Sequence, residues 1–272
     1  MQVMSVLSKI IDVDKEKCVN CHACIGICPV KYCNDGFGDH VIVNQDLCIG
    51  CGSCLTACTH EARKGVDDFS LFLEALQKGE KLIAIMAPAA AANFPEKYHH
   101  LIGWLHNIGV SAVFDVSFGA ELTIKSYYEY VKKFRPKTVI SQPCPAIVTY
   151  IEIYQPELLP YLAPADSPML HTIKMVKEYY TEYSAYKTAV ISPCFAKRRE
   201  FDETGLGDFN LTYISIEEYL KENNINLLTY PKEDFANRAA ERAALFSTPG
   251  GLMRTMERES EVVAKATRKI EG

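Results

Sequence analysis

The sequence predicts an α/β protein in two parts: a small cysteine-rich domain over residues 1–64 and a mainly parallel-sheet domain over residues 65–272. Three observations lead there. At 272 residues and about 150 residues per domain, two domains are expected. Nine of the eleven cysteines fall between Cys18 and Cys58 and none of the strand-like runs does. Beyond residue 80, apolar runs alternate with helical segments, a pattern that needs crossover connections and buries both faces of a sheet.

The cysteines form two identical runs thirty residues apart: Cys18, Cys21, Cys24, Cys28 and Cys48, Cys51, Cys54, Cys58. Each reads C-x-x-C-x-x-C-x-x-x-C, and the first ends in Cys28 and Pro29. The pattern resembles the bacterial two-cluster ferredoxins, in which the fourth cysteine of a run ligates the other cluster. Three closely spaced thiolates wrap one corner of a cubane, and the fourth iron then needs a ligand from elsewhere. The repeat supplies it by exchange. Two 4Fe-4S clusters are expected, one held by Cys18, Cys21, Cys24 and Cys58 and the other by Cys48, Cys51, Cys54 and Cys28. Zinc sites offer two separated C-x-x-C pairs, a poor match to these triplets. Residues 1–17 lack a charged start followed by a long apolar core, so a reducing cytoplasm is expected and disulfides are not. Cys33 lies outside the register and reads as a bystander thiol.

A join is expected over 61–79, where the amphipathic segment 69–76 leaves the cysteine-rich part. After it, strands are predicted over 81–86, 111–116, 138–140 and 187–191, with helices over 99–108, 121–134 and 168–183. Residues 213–224 begin another strand-helix unit, and 243–256 carry the Gly250-Gly251 turn into a helix. The formal charge of -5 includes no long basic run, which removes support for nucleic acid. The longest apolar stretch, 82–92, is eleven residues and contains Pro88, too short to span a bilayer. His99, His100 and His106 share a helix where packed or solvated histidines are the ordinary outcome. Tyr127, Tyr128 and Tyr130 read as helix packing.

Cys144 and Cys194 each follow a predicted strand and a proline, and in open parallel sheets ligands gather beyond the carboxyl ends of strands. Here a second resemblance appears. MAPA at 86–89, VFDVSFGAELT at 113–123, PCP at 143–145, SPCFAKRRE at 192–200 and LFSTPGGLM at 245–253 resemble, in order, the segments of the iron-only (di-iron) hydrogenases. The resemblance covers nearly the whole chain. It implies a hydrogenase-like lobe and part of a second lobe after the ferredoxin domain. It also implies that Cys144 and Cys194 ligate the 4Fe-4S half of an H-cluster-type 4Fe-4S/di-iron centre, that Lys197 is the partner of a di-iron cyanide, and that Pro88 and Gly250 wall the pocket. Glu200 is then expected to fix the neighbouring basic side chain. Without the resemblance, Lys197 reads as a solvated residue beside Arg198 and Arg199.

The departures matter as much. The family completes the cluster with a later cysteine pair, and this sequence has no cysteine after Cys194. A fragment ending at 266–272, an altered cluster or a lost site all account for this, and a fragment is the expectation. Pro143 stands where active members place a cysteine, and Tyr127 and Tyr130 where glutamates are expected. Proline relays no proton, and a phenol with pKa near ~10 relays poorly at neutral pH. Ser167 matches a serine of that route but cannot bridge the gap alone. The implied function is electron transfer between two 4Fe-4S clusters and a hydrogenase-like centre, of slow or sensory type, with a ferredoxin-like or regulatory redox partner and no nucleic acid or membrane. This chain alone is expected to be inactive as an enzyme. The alternative is a non-enzymatic cluster-assembly or electron-transfer module without a di-iron centre.

Overall fold

The computed structural model describes residues 7–241, 243–246, 248 and 250–259. In chain order the strands are β1 (Ile11–Val13), β2 (Asn34–Asp35), β3 (Ile42–Val43), β4 (Arg63–Gly65), β5 (Leu82–Met86), β6 (Val110–Asp115), β7 (Lys187–Ser192) and β8 (Phe209–Thr212). The α-helices are α1 (Ala23–Gly26), α2 (Ser53–Thr56), α3 (Phe69–Gln77), α4 (Ala90–Asn93), α5 (Tyr98–Asn107), α6 (Ser117–Phe134), α7 (Pro145–Tyr154), α8 (Pro168–Tyr179), α9 (Lys197–Thr204), α10 (Tyr213–Glu222) and α11 (Gly251–Glu259). The chain divides into two compact units. One comprises the chain up to Asp68 with Cys144–Leu159 and Cys194–Gly205; the other comprises Phe69–Pro143, Pro160–Pro193 and the chain from Leu206 on.

In the first unit β1 pairs antiparallel with β4, with Val13 opposite Arg63, and β2 pairs antiparallel with β3. The cysteine repeat is also a backbone repeat. Asn20 and Gly50 have φ of 53° and 73°, and His22 and Gly52 have φ of 64° and 81°, just ahead of α1 and α2. This left-handed turn folds each run back on itself, at about 1–2 kcal/mol for a residue that carries a Cβ. Ile10, Ile11, Val30, Val41 and Ile49 pack with the buried thiols of Cys24, Cys48 and Cys54, so the unit's core is largely the wall of its cysteine sites. Phe195 lies flat against Gly65, where an added Cβ would fall 2.2 Å from its ring, so only hydrogen fits at that point of β4.

The second unit is built on one parallel sheet in the order β6-β5-β7-β8, as the alternating pattern predicts. All five residues of β5 are buried, as are Thr188 to Ser192 of β7, so both faces are covered. Trp104, Leu101, Phe72 and Tyr213 are among the fully buried side chains of its core. Phe72 meets Phe209 edge-on at 6.2 Å, which seats α3 on the sheet. Ser167 and Thr212 cap α8 and α10 through side-chain oxygens.

Three expectations need correction. The strand of the unit read as starting at 213 lies before it, as β8, and Tyr213 already opens α10. Residues 138–140 form no strand: Ile140 makes an isolated parallel bridge to Leu162. Flanked by Pro136 and Pro143, which donate no amide, the segment is too short to join a ladder. The helix predicted to 183 ends at Tyr179, and a 3-10 turn over Thr181–Tyr183 follows. The rings of Tyr180 and Tyr183 turn onto Phe114, at 4.9 and 5.8 Å, and this packing overrides local helical preference. Among the described residues no helix is long and apolar enough to cross a membrane.

Candidate functional site

The two cysteine runs of the first unit are regrouped by the fold. Cys18, Cys21, Cys24 and Cys58 line one cavity, with about 310 Å3 not filled by protein atoms. Cys28, Cys48, Cys51 and Cys54 line a second, with about 320 Å3. Each cavity takes three thiols from one run and the fourth from the other. The packing of α1 beside α2 makes this crossing possible, since Cys28 and Cys58 lie just past the ends of those helices. Among the described residues no three His, Cys, Asp or Glu side chains close on a single point, as one metal ion requires. The thiols ring a space instead, with His22 and His60 also lining the first, and four thiols around a space fit a polynuclear iron-sulfur cluster. Such a group supplies one-electron transfer when bound.

The walls carry the donors that anionic sulfur needs. The amide of Val41 donates to Cys18 Sγ and that of Gly50 to Cys48 Sγ, both at 3.4 Å. Arg63 Nη2 donates to Cys24 Sγ at 3.0 Å. The Cys48 thiol is pulled down to about 6, first by a hydrogen bond from Cys33 and then, against burial, by the Gly50 amide and the guanidinium groups of Arg199 and Arg63. Burial pushes the Cys54 thiol up. Cys33 itself is buried and lines the second cavity as a fifth thiol; its hydrogen bond to Cys48 and its burial drive its pKa strongly upward. Cysteine spacing left it unplaced, because the β2–β3 hairpin rather than the register folds it back, with Asn44 donating to the Cys33 carbonyl at 2.8 Å.

Cys144 caps the N-terminus of α7, with Pro145 in the first helical position. It is therefore not a strand-end residue as expected, whereas Cys194 does follow β7. Burial pushes the Cys194 thiol up, Lys197 draws it down and the Cys144 thiol pushes it up, so the two sulfurs share one electrostatic neighbourhood. Lys197 is buried rather than solvated, and its Nζ donates to Glu200 Oε2 at 2.6 Å. Helices α7 and α9 are tied to the loop that carries Cys48. Tyr154 donates its hydroxyl to the Leu47 carbonyl at 2.7 Å, and Arg199 donates to the carbonyls of Cys48 and, at 2.9 Å, Gln45. A cubane held by thiolates alone takes four, and here the chain offers two; these residues by themselves do not fit the complete centre that the resemblance implies.

Pro88, in the turn after β5, and Gly250, at φ 69° ahead of α11, belong to the second unit; Ser247 and Pro249 of the same segment lie outside the described residues, as does 266–272. Tyr127 is buried and accepts from the Gln142 amide at 3.3 Å, and the Tyr130 ring lies 5.1 Å from Phe134. His99, His100 and His106 bond to the Glu233 carbonyl, the Tyr230 carbonyl and the Glu233 carboxylate, all packing roles.

Comparison with known proteins bears on these sites. Residues 80–271 match the family described as iron only hydrogenase large subunit, C-terminal domain, and residues 15–31 and 41–64 match 4Fe-4S binding domains. The chain is 27% identical over 300 residues to iron hydrogenase 1 of Clostridium pasteurianum, covering 95% of this chain and 52% of that protein. It is 25% identical over 177 residues to the cytosolic Fe-S cluster assembly factor NAR1 of Yarrowia lipolytica, covering 56% of this chain and 35% of the other. It thus spans about half or less of these relatives. A solved structure of the FeFe-hydrogenase HydA1 from Chlamydomonas reinhardtii superposes with a TM-score of 0.57 at 25% identity, covering 70% of this chain and 56% of that one.

Proposed function

This chain belongs to the iron-only hydrogenase family, and on that premise we propose that its first unit holds two 4Fe-4S clusters and passes single electrons between them and a hydrogenase-like centre at Cys144, Cys194 and Lys197. One observation carries the reading: the crossed sorting of eight thiols into two cavities, four to each. The route toward Cys144 and Cys194 is supported by Tyr154 and Arg199, which tie α7 and α9 to the loop that carries Cys48. The two thiols at 144 and 194 call for donors from elsewhere, and with them the chemistry is slow or sensory conversion of hydrogen, coupled to a protein redox partner. The kinship to NAR1 favours a second reading, a cluster-assembly or electron-transfer module with no di-iron centre.

The test is iron stoichiometry with crossed variants. Anaerobically reconstituted protein is expected to hold about eight irons per chain, two cubanes of four. Cys58→Ala should lose about four of them, and its remaining electron paramagnetic resonance signal should match that of Cys21→Ala, not that of Cys51→Ala. A Cys58→Ala signal matching Cys51→Ala refutes the crossing. Stoichiometric zinc in place of iron refutes the clusters altogether.

A further inference from the structure

Arg63 is buried, 7% exposed, in the first residue of β4, and antiparallel pairing with Val13 fixes its backbone. It lines both thiol cavities. One arm of its guanidinium, Nη2, donates to Cys24 Sγ at 3.0 Å, in the first cavity. The other arm, Nη1, is fully buried and meets no acceptor. Among the described residues no carboxylate pairs with Arg63, although every other buried cation of this unit finds oxygen: Lys197 has Glu200, and Arg199 has three carbonyls. A desolvated guanidinium is retained only where anionic charge compensates it. Here the candidates for that charge are the thiolates on either side.

We infer that Arg63 is a tuning residue shared by the two cluster sites, a single buried cation in their common wall that favours the reduced state of both. The inference rests on the reading that the cavities hold 4Fe-4S clusters. A cubane with four thiolates is a net anion and gains one further negative charge on reduction. A fixed positive charge beside it therefore stabilises the reduced form more than the oxidised one, and hydrogen bonds to ligand sulfur act in the same direction. In a water-poor wall that attraction is screened little. Its reach to both sides is geometric: it lines the second cavity beside Cys28, Cys48, Cys51 and Cys54 and contacts Cys24 Sγ in the first. Arg199, by contrast, lines neither cavity and touches only the Cys48 side, through backbone carbonyls. One residue thus keeps the two sites matched, so that an electron moves between them without a large step in free energy.

The experiment is a potentiometric titration of the full chain, followed by electron paramagnetic resonance and paired with iron analysis. Each site is read alone in a background lacking the other, Cys58→Ala for the second and Cys51→Ala for the first. Arg63→Gln is expected to move the reduction equilibrium at least tenfold toward the oxidised form in both backgrounds, about 59 mV for one electron. Iron content should stay at the level of the parent. A shift in one background only makes Arg63 a local ligand-bonding residue and overturns the shared role, and wild-type potentials in both overturn it entirely. If Arg63→Gln takes up no iron, Arg63→His decides, because its charge can be switched by pH. Potentials that fall in both backgrounds as the imidazole loses its proton support the proposal, and a pH-independent potential in either background refutes it. Wild-type protein that shows no cubane signal fails the cluster reading itself, a result distinct from unchanged potentials in iron-replete variants.

Discussion

Glu200→Gln is the most direct probe of how the Cys194 segment is held. Lys197 and Glu200 sit one turn apart on α9, with side chains only 8% and 15% exposed and Nζ 2.6 Å from Oε2. Their attraction is therefore poorly screened. Removing the carboxylate charge leaves a buried ammonium without its counter-ion, a change that costs about 3–5 kcal/mol at buried pairs. Glu200 is the more open partner, so the lower end applies, ~3 kcal/mol. At ~4 °C per kcal/mol, the low end for small domains, the transition of the first unit falls by ~12 °C. Replacing both charges removes the penalty, and Lys197→Met with Glu200→Gln should recover most of the loss, because apolar replacement of a whole buried pair is near neutral. The assay is thermal unfolding of metal-free protein by circular dichroism, at one pH, for wild type, both single variants and the double. A Glu200→Gln protein melting within about 2 °C of wild type, well below the loss expected for a buried pair, would refute the argument that burial makes this ion pair structural. A double variant no better than the single one would place the loss in packing instead.

Three further outcomes follow from particular side chains. Cys33→Ala should leave iron near eight atoms per chain, since the second cavity already has Cys28, Cys48, Cys51 and Cys54; loss of about four would make Cys33 a ligand. Burial lowers the pKa of His171 from its ordinary 6.5, so the unfolded chain takes the proton first. Its contribution to stability is therefore complete above 6.5 and is lost as pH falls through the lowered folded value. Denaturant unfolding of His171→Gln should show a shallower acid-side loss than wild type, and identical pH profiles would sink this. Finally, the 272-residue chain supplied with a synthetic di-iron precursor should evolve no hydrogen above background, because it presents two thiols, Cys144 and Cys194, where a cubane takes four and because Pro143, Tyr127 and Tyr130 offer no proton relay near neutral pH. Gas chromatography showing sustained hydrogen would overturn both reasons together.

What was legible in the sequence was what local spacing enforces. Two cysteine runs at one register imply two equivalent folds of backbone, and the paired left-handed turns at Asn20 and Gly50 and at His22 and Gly52 are that equivalence in φ. Three of the four predicted apolar runs need no tertiary information either, and β5, β6 and β7 emerge within a residue or two of their predicted bounds, whereas β8 lies ahead of the unit read as starting at 213. The misses have one cause. The segment at 138–140 is apolar enough to read as strand but pairs only through the single bridge of Ile140 to Leu162, and Cys144 stands at the N-cap position of α7. The helix end at Tyr179 is set by Phe114, more than sixty residues earlier in the chain. Lys197 looked solvated because Arg198 and Arg199 flank it, yet on a helix those three point in different directions. Arg198 reaches Asp68 and Asp202, Arg199 the Cys48 carbonyl, and Lys197 the buried Glu200.

The basic triplet at 197–199 also explains why the cysteine-rich unit includes residues so distant in sequence. A ferredoxin-like fold this small has little apolar core beyond its cysteine walls, and small cores need added staples. Here part of the staple is α7 and α9, through Phe195 on Gly65, Tyr154 on Leu47 and Arg199 on Gln45 and Cys48. The residues that begin or precede those two helices are Cys144 and Cys194. The same contacts that complete the first unit therefore fix the position of both lone thiols relative to the cavity of Cys48. A long electron path would need neither helix to touch that loop. The closure of that loop by Arg199 and Tyr154 is what supports the proposal that electrons leave by the second cavity rather than by the one lined by Cys18.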